Sequence, residues 1–380
     1  MWPITHKNKS NDMTKIENKV AILGCGNGGM ALAADLKLKG AKVALWSDPA
    51  HARKFNHIRN KGEIILHDDN KNLSAKLDLI SHDLSEVIKF GDIIYNCTPM
   101  VVHVSLFKKL TYLNKVNAIK LLINLSGVFS GLDQFLRSKD QTIFDKIKVF
   151  DTSTFPYACR AGDSNDVSIL GRKSELAIAP LFPLDNCYLD SLPECCKPIK
   201  FKVEENSFKL GLMGTNAVFH PATVLFNARL IDNGCSFLFY REGISKKTSL
   251  LHEALDNERL HLAKAMDYEL SPCVEDDNKY YGTNFTNGYD FSINSAVHRT
   301  IKSPTTLNHR FVTEDIAYGL VPLTTLGKIY NVALPNIESV IHIFSTIMDI
   351  NYYQYGRNLA GLTKKLIYDI SHLTNIPMSA

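Results

Sequence analysis

The segment Gly24-Cys25-Gly26-Asn27-Gly28-Gly29 limits what this chain can fold into more than any other six residues. It follows a short apolar run, Lys19 to Leu23, and opens the stretch Asn27 to Lys39, whose apolar residues fall at helical spacing and which ends at Gly40. A strand passing through glycines straight into a helix is the phosphate-binding turn of a βαβ unit. Gly24 permits the tight turn, Gly26 lets a pyrophosphate approach the backbone, and Gly29 allows helix and strand to pack closely. The helix N-terminus then offers free N–H groups and partial positive charge to phosphates. With Asn27 and Gly28 in the same turn, the expected ligand is a dinucleotide and the expected frame an α/β sheet.

The following residues keep this alternation. Ala41 to Trp46 reads as a second strand and about 50 to 61 as a helix. Asp92 to Asn96 and Lys120 to Leu125 read as buried strands with a helix between them from about 101 to 113. Lys148 to Asp151, Val167 to Leu170 and Leu176 to Ala179 are shorter strand candidates. Such alternation implies right-handed crossovers and a parallel sheet. After about residue 200 the period changes: Ser207 to Asp232, Leu250 to Glu269 and Pro335 to Met348 carry apolar residues three and four apart, which predicts a helical bundle. The segment 276–290, rich in Asn, Gly, Tyr and Asp, reads as a loop. The expected division is a flexible extension over 1–18, a dinucleotide-binding unit over 19–200 and a helical substrate and catalytic unit over 201–380.

A chain of 380 residues, 45% hydrophobic and 22% charged, has room for two such units and reads as an ordinary globular protein. No apolar run approaches the roughly eighteen residues of a membrane span, and the polar first eighteen residues lack the apolar centre of a secretory signal. The net charge of +4 is spread without a basic run interleaved with aromatics, so neither nucleic acid nor membrane is an expected partner. Eight cysteines without a CxxC pair or a Cys/His ligand set predict reduced thiols, no metal and a cytoplasmic location. A homodimer is compatible with the sequence, which does not specify the oligomeric state.

Several positions carry chemistry beyond the glycines. The second strand ends in Ser47-Asp48. A carboxylate there would bond the adenosine ribose and favour NAD, Ser47 with Arg53 could hold the 2′-phosphate of NADP, and Asp48 could simply cap the helix opening at Pro49. Thr98-Pro99 and Asn124-Leu125-Ser126-Gly127 follow strands where ligands approach an open sheet, or are ordinary turns. Asn216 and His220 share a helical face; the histidine is either a satisfied core residue or the chain's best acid/base near neutrality. In the run Arg310 to Pro322, the Arg310 fork matches a carboxylate and Asp315 could orient a histidine, the alternatives being a surface ion pair and a helix cap. Glu314 reads as a solvated charge.

With these residues in place, the chain resembles the octopine/nopaline (opine) dehydrogenase family from about Val20 to Thr363. The resemblance is carried, in order, by GCGNGGMALAADL, DTSTFPYACR (Asp151 to Arg160), GTNAVFHPATVLFNA, HRFVTEDIAYGLVPLTTLGK and YQYGRNL (Tyr353 to Leu359). It implies a Rossmann-type doubly wound α/β domain followed by an all-helical C-terminal domain related to that of 6-phosphogluconate dehydrogenases. It also implies reductive condensation of an α-keto acid with the amine of an amino acid through an imine, using NADH or NADPH. By the same resemblance His220 is the acid/base, Asp315 its dyad partner, Arg310 the grip on a substrate carboxylate, and Asn216 and Asp151 line the substrate. The loop 124–131 departs from the family's usual NPGRTGG, with Leu125 and Val128 replacing proline and arginine. Asp151 stands where Glu is common and Ala317 where Pro is common. These loops are expected to face the substrate. The competing functions are direct reduction of a 2-keto acid without an amine, and a dinucleotide-binding regulator without turnover.

Overall fold

A computed structural model describes residues 17–113, 119–184 and 187–372 of the chain; most of the expected N-terminal extension therefore lies outside the described residues. The strands are β1 (Lys19–Leu23), β2 (Lys42–Trp46), β3 (Glu63–Asp68), β4 (Lys71–Lys76), β5 (Leu79–Ser81), β6 (Ile93–Asn96), β7 (Leu121–Asn124), β8 (Lys148–Thr152), β9 (Tyr157–Ala161), β10 (Asp166–Arg172), β11 (Leu176–Pro180) and β12 (Phe201–Val203). One eight-stranded sheet has the order β12-β11-β8-β7-β6-β1-β2-β5, and a second sheet has the order β4-β3-β10-β9.

The central strands β6 and β7 are buried at every position, as expected of parallel strands covered on both faces. Neighbours from β5 across to β8 pair in parallel. The expected parallel sheet is corrected at two places: β11 joins β8 antiparallel, and β10 lies in the second sheet, antiparallel to β9. From β1 the chain runs outward on one side through β2 and returns on the other through β6, so the strand order reverses between β1 and β6. That switch point opens a crevice at the carboxyl ends of the strands.

The second sheet explains a peculiarity of the helix Asn27–Leu38. Eight consecutive residues, Gly29 to Leu36, are buried, although a surface helix should bury only one stripe. The helix lies between β1 and β2 on one side and β3, β4, β9 and β10 on the other, so all its faces meet apolar partners. Its one buried charge, Asp35, is compensated: Arg172 of β10 donates to it at 2.8 Å and the Tyr157 hydroxyl at 2.5 Å. The hairpin β3–β4 is not legible in the sequence. Its two-residue turn is Asp69-Asn70, with φ of 46° and 61°, and lacks the glycine that marks such turns.

From Ser207 onward the named elements are all helical. The helical stretch expected over Ser207 to Asp232 is three helices, Ser207–Leu212, Asn216–Phe226 and Ala228–Asp232, broken first at Gly214-Thr215. The expected loop 276–290 is corrected as well. It is mostly two helices, Cys273–Tyr281, begun after Pro272 and ended by Gly282 at φ 64°, and Gly288–Asn294, capped by Asn287. No helix among the described residues is long and apolar enough to cross a membrane.

Candidate active site

The crevice at the switch point continues into a cleft of about 860 Å³ that runs between the sheet and the helices. Its nucleotide end is built from the glycine turn. Gly24 has φ +108°, and a Cβ there would come within 3.0 Å of the Cys97 carbonyl. At Gly29 a Cβ would sit 1.9 Å from the Gly24 carbonyl oxygen, so helix and strand touch only because no side chain intervenes. At Gly28 a Cβ would run into the Phe155 ring. Gly26 is different: nothing lies within 4 Å of its would-be Cβ, which points into open space lining the cleft. A turn held tight on its inner side and bare on its outer side fits a dinucleotide pyrophosphate. Asn27 accepts the Ala161 N–H at 3.0 Å and ties the turn to β9.

Ser47 and Asp48 also line this end, as do Thr98 and Pro99. Asp48 accepts the Ala50 N–H at 3.0 Å, a local cap. The Thr98 turn is held by Asn96, which accepts from both its hydroxyl and its N–H. Behind it, His103 is fully buried, and burial holds its ring neutral by pulling the pKa down to about 3. Its Nε2–H therefore donates to the Thr98 carbonyl at 2.9 Å and its Nδ1 accepts from Ser130 at 2.7 Å.

His220 lies in the cleft wall at the second turn of Asn216–Phe226, four residues after Asn216 and on the same face. Its Nδ1–H donates to Asp315 at 2.7 Å, and its ring stacks on Phe311 with centroids 3.9 Å apart. Asp315 opens a π-helical turn, Asp315–Leu320, a local irregularity that re-aims side chains. Nε2, on the other side of the ring, takes a 3.1 Å hydrogen bond from the Tyr240 hydroxyl. Arg310 and Arg160 reach the same cleft from different segments, and among the described residues neither has a carboxylate partner. Burial lowers the Arg160 pKa, and the neighbouring Arg310 lowers it further. Two unpaired guanidiniums beside an imidazole make an end suited to carboxylates.

Asn216, His220 and Arg310 thus line one cleft with the glycine turn, and Asp315 stands directly behind His220. Asp151 does not. Expected against the substrate, it is 2% exposed beneath the cleft, where it accepts from Asn124 at 2.9 Å and from the Gly131 N–H. Burial pushes its pKa up to about 7. The loop 124–131 likewise packs inward: Leu125 and Phe129 are buried, and Arg357 donates to the Val128 carbonyl and, at 2.9 Å, to Ser130. Glu314, read as a solvated charge, faces the cleft instead, with its pKa raised by burial to about 7. Tyr240, Arg160 and Asp277 were missed. Arg160 closes the motif DTSTFPYACR, which was the only signal available for any of them.

Residues 203–348 match the family described as NAD/NADP octopine/nopaline dehydrogenase, alpha-helical domain, and residues 19–143 match the NAD-dependent glycerol-3-phosphate dehydrogenase N-terminus. The opine dehydrogenase of Arthrobacter sp. (strain 1C) is 30% identical over 348 residues, covering 91% of this chain and 96% of that one. The chain belongs to the opine dehydrogenase family. It is accordingly an NAD(P)-dependent oxidoreductase. The fold of this opine dehydrogenase family member also matches octopine dehydrogenase solved with NADH and L-arginine, at a TM-score of 0.72 and 18% identity over 95% of this chain and 100% of that one. Yersinopine dehydrogenase with NADP+ superposes at a TM-score of 0.67, with 14% identity over 93% and 97% of the two chains.

Proposed function

We propose that the protein condenses an α-keto acid with the amine of an amino acid and reduces the resulting imine, with residues 19–200 holding NAD or NADP and 201–380 supplying the catalytic residues. The observation that carries this reading is the His220–Asp315 pair at 2.7 Å in the cleft reached by both the glycine turn and Arg310. Octopine dehydrogenase, which shares the fold, has been solved with NADH and L-arginine and with NADH and pyruvate, an amino acid and a keto acid.

The nicotinamide, when bound, supplies the hydride. Backbone N–H groups at Gly26, Asn27, Gly28 and Gly29 would hold the pyrophosphate, and Gly24 shapes the turn. Ser47 and Asp48 would hold the adenosine ribose, and Thr98 and Pro99 would lie along the nicotinamide. Arg310 grips the keto-acid carboxylate through its two-pronged fork and so sets the reacting carbon against His220 Nε2. Asn216 stands beside the same carbon. As imidazolium, His220 donates from Nε2 to the carbonyl oxygen as the amine adds and water leaves; Asp315 holds the tautomer and stabilises the charged ring.

Oxidation of NADH or NADPH is expected only when a keto acid and an amino acid are both present, assayed with pyruvate, 2-oxoglutarate and oxaloacetate against a panel of amines. Oxidation with the keto acid alone would replace this reading with a hydroxy-acid dehydrogenase. Arg310→Ala is expected to raise the keto-acid KM roughly 10- to 100-fold, the loss of a charge-assisted hydrogen bond. Arg310→Lys should recover only part of that, because a point charge lacks the fork. An unchanged keto-acid KM in both variants would remove Arg310 from the site.

A further inference from the structure

Asp277 is the second acid of the cleft that the reaction above leaves without a task. It lies on the buried face of the helix Cys273–Tyr281 and is 9% exposed, with that remaining surface turned into the cleft. Among the described residues no donor of the chain hydrogen-bonds its carboxylate, and no basic side chain stands within ion-pair distance of it. Its neighbours are satisfied. Asp276 meets Lys279 at 3.5 Å, and Asp256 accepts from Arg259 at 2.7 Å and from the Cys273 N–H at 2.8 Å.

One cation of the chain acts on Asp277, but from beyond ion-pair distance. That cation, Lys173, has its ammonium 4.0 Å above the Tyr280 ring and donates to the Thr154 hydroxyl at 3.3 Å. His298 lies against Tyr240 and Tyr281, with ring centroids 4.6 and 5.6 Å away, and burial keeps it neutral. Burial pushes the Asp277 pKa upward against the pull of Lys173. A carboxylate so enclosed is costly to ionise unless a cation or proton donor meets it. The open side of Asp277 is the cleft, and the aromatic rings that wall it there favour an organic cation.

We infer that Asp277 docks a protonated nitrogen of the amine substrate. An amino acid carries a carboxylate and an ammonium, and the cleft offers unpaired arginines and an unpaired carboxylate. Tyr240 stands between the two ends: its hydroxyl bonds His220, and burial, joined by the Asp277 charge, raises its pKa. The docked nitrogen is either the α-ammonium or a cationic group at the end of the side chain.

The inference rests on the condensation reading, and one series of measurements separates them. Amine-dependent oxidation by the unmodified protein is established first; its absence across the panel would sink that reading and this inference together. Asp277→Asn, an isosteric change checked by thermal melting, is then expected to raise the amine KM roughly 10- to 100-fold while the keto-acid KM and cofactor affinity stay within about twofold. A rise for alanine, phenylalanine and lysine alike assigns the α-ammonium. A rise for lysine and agmatine alone assigns the side-chain cation. An unchanged amine KM in a folded variant overturns the inference while leaving the condensation reading standing. Should the variant not fold, the unmodified protein decides: an amine should bind at least about tenfold more tightly than its analogue with hydroxyl in place of the protonated nitrogen, and equal binding overturns the proposal.

Discussion

His220→Ala is expected to lower turnover by roughly a hundred- to ten-thousand-fold while leaving dinucleotide affinity nearly unchanged. The size of the effect follows from the absence of another imidazole able to take over. His298 and His309 also line or border this end of the site, but burial pulls them down to about 3 and about 4, so neither carries a proton to give at neutral pH. The Tyr240 hydroxyl, whose pKa burial raises, is a poorer acid still. Dinucleotide affinity should survive because the glycine turn is built from β1, β6 and the helix Asn27–Leu38, none of which leans on the imidazole. Single-turnover rates and a fluorescence titration with NADH and NADPH measure the two quantities separately. A loss of turnover below about tenfold would take His220 out of the chemistry.

Gly26→Ala is expected to abolish most dinucleotide binding, by roughly a hundredfold or more, in a protein that melts as before. The added methyl meets nothing of the chain within 4 Å and occupies the space a pyrophosphate needs for close approach to the backbone. Gly29→Ala should fail in the opposite manner. Its methyl would lie 1.9 Å from the Gly24 carbonyl oxygen, a backbone atom that cannot step aside, so the helix must lift from the strand and the melting temperature must fall. Unchanged cofactor affinity in Gly26→Ala would contradict the placement of the pyrophosphate at this turn.

Much of the frame could be read from the residues in order. The strands β1, β2, β6, β7 and β8 and the helix Asn27–Leu38 announce themselves through apolar runs and helical spacing, and the glycines mark where strand becomes helix. The hairpin β3–β4 did not, because Asp69 and Asn70 form its turn without glycine. The helices at Cys273–Tyr281 and Gly288–Asn294 were hidden by polar composition: Asp277 occupies a buried position where a sequence reading expects solvent.

Within the site, the glycine turn, His220, Arg310 and Asp315 stood out because each is an unusual residue in a local pattern that gives it something to do. Local sequence was enough for these, since turn geometry and helical faces are set by residues a few positions apart. Packing alone decided the rest. It set His220 against Asp315, 95 positions away, brought Tyr240 to the free ring nitrogen and turned Asp277 and Glu314 toward the cleft. It also drew Asp151 beneath the site, into hydrogen bonds with Asn124 and Gly131. Whether a carboxylate is solvated, buried and satisfied, or buried and waiting for a partner depends on what surrounds it in space, and that is a property of the folded chain.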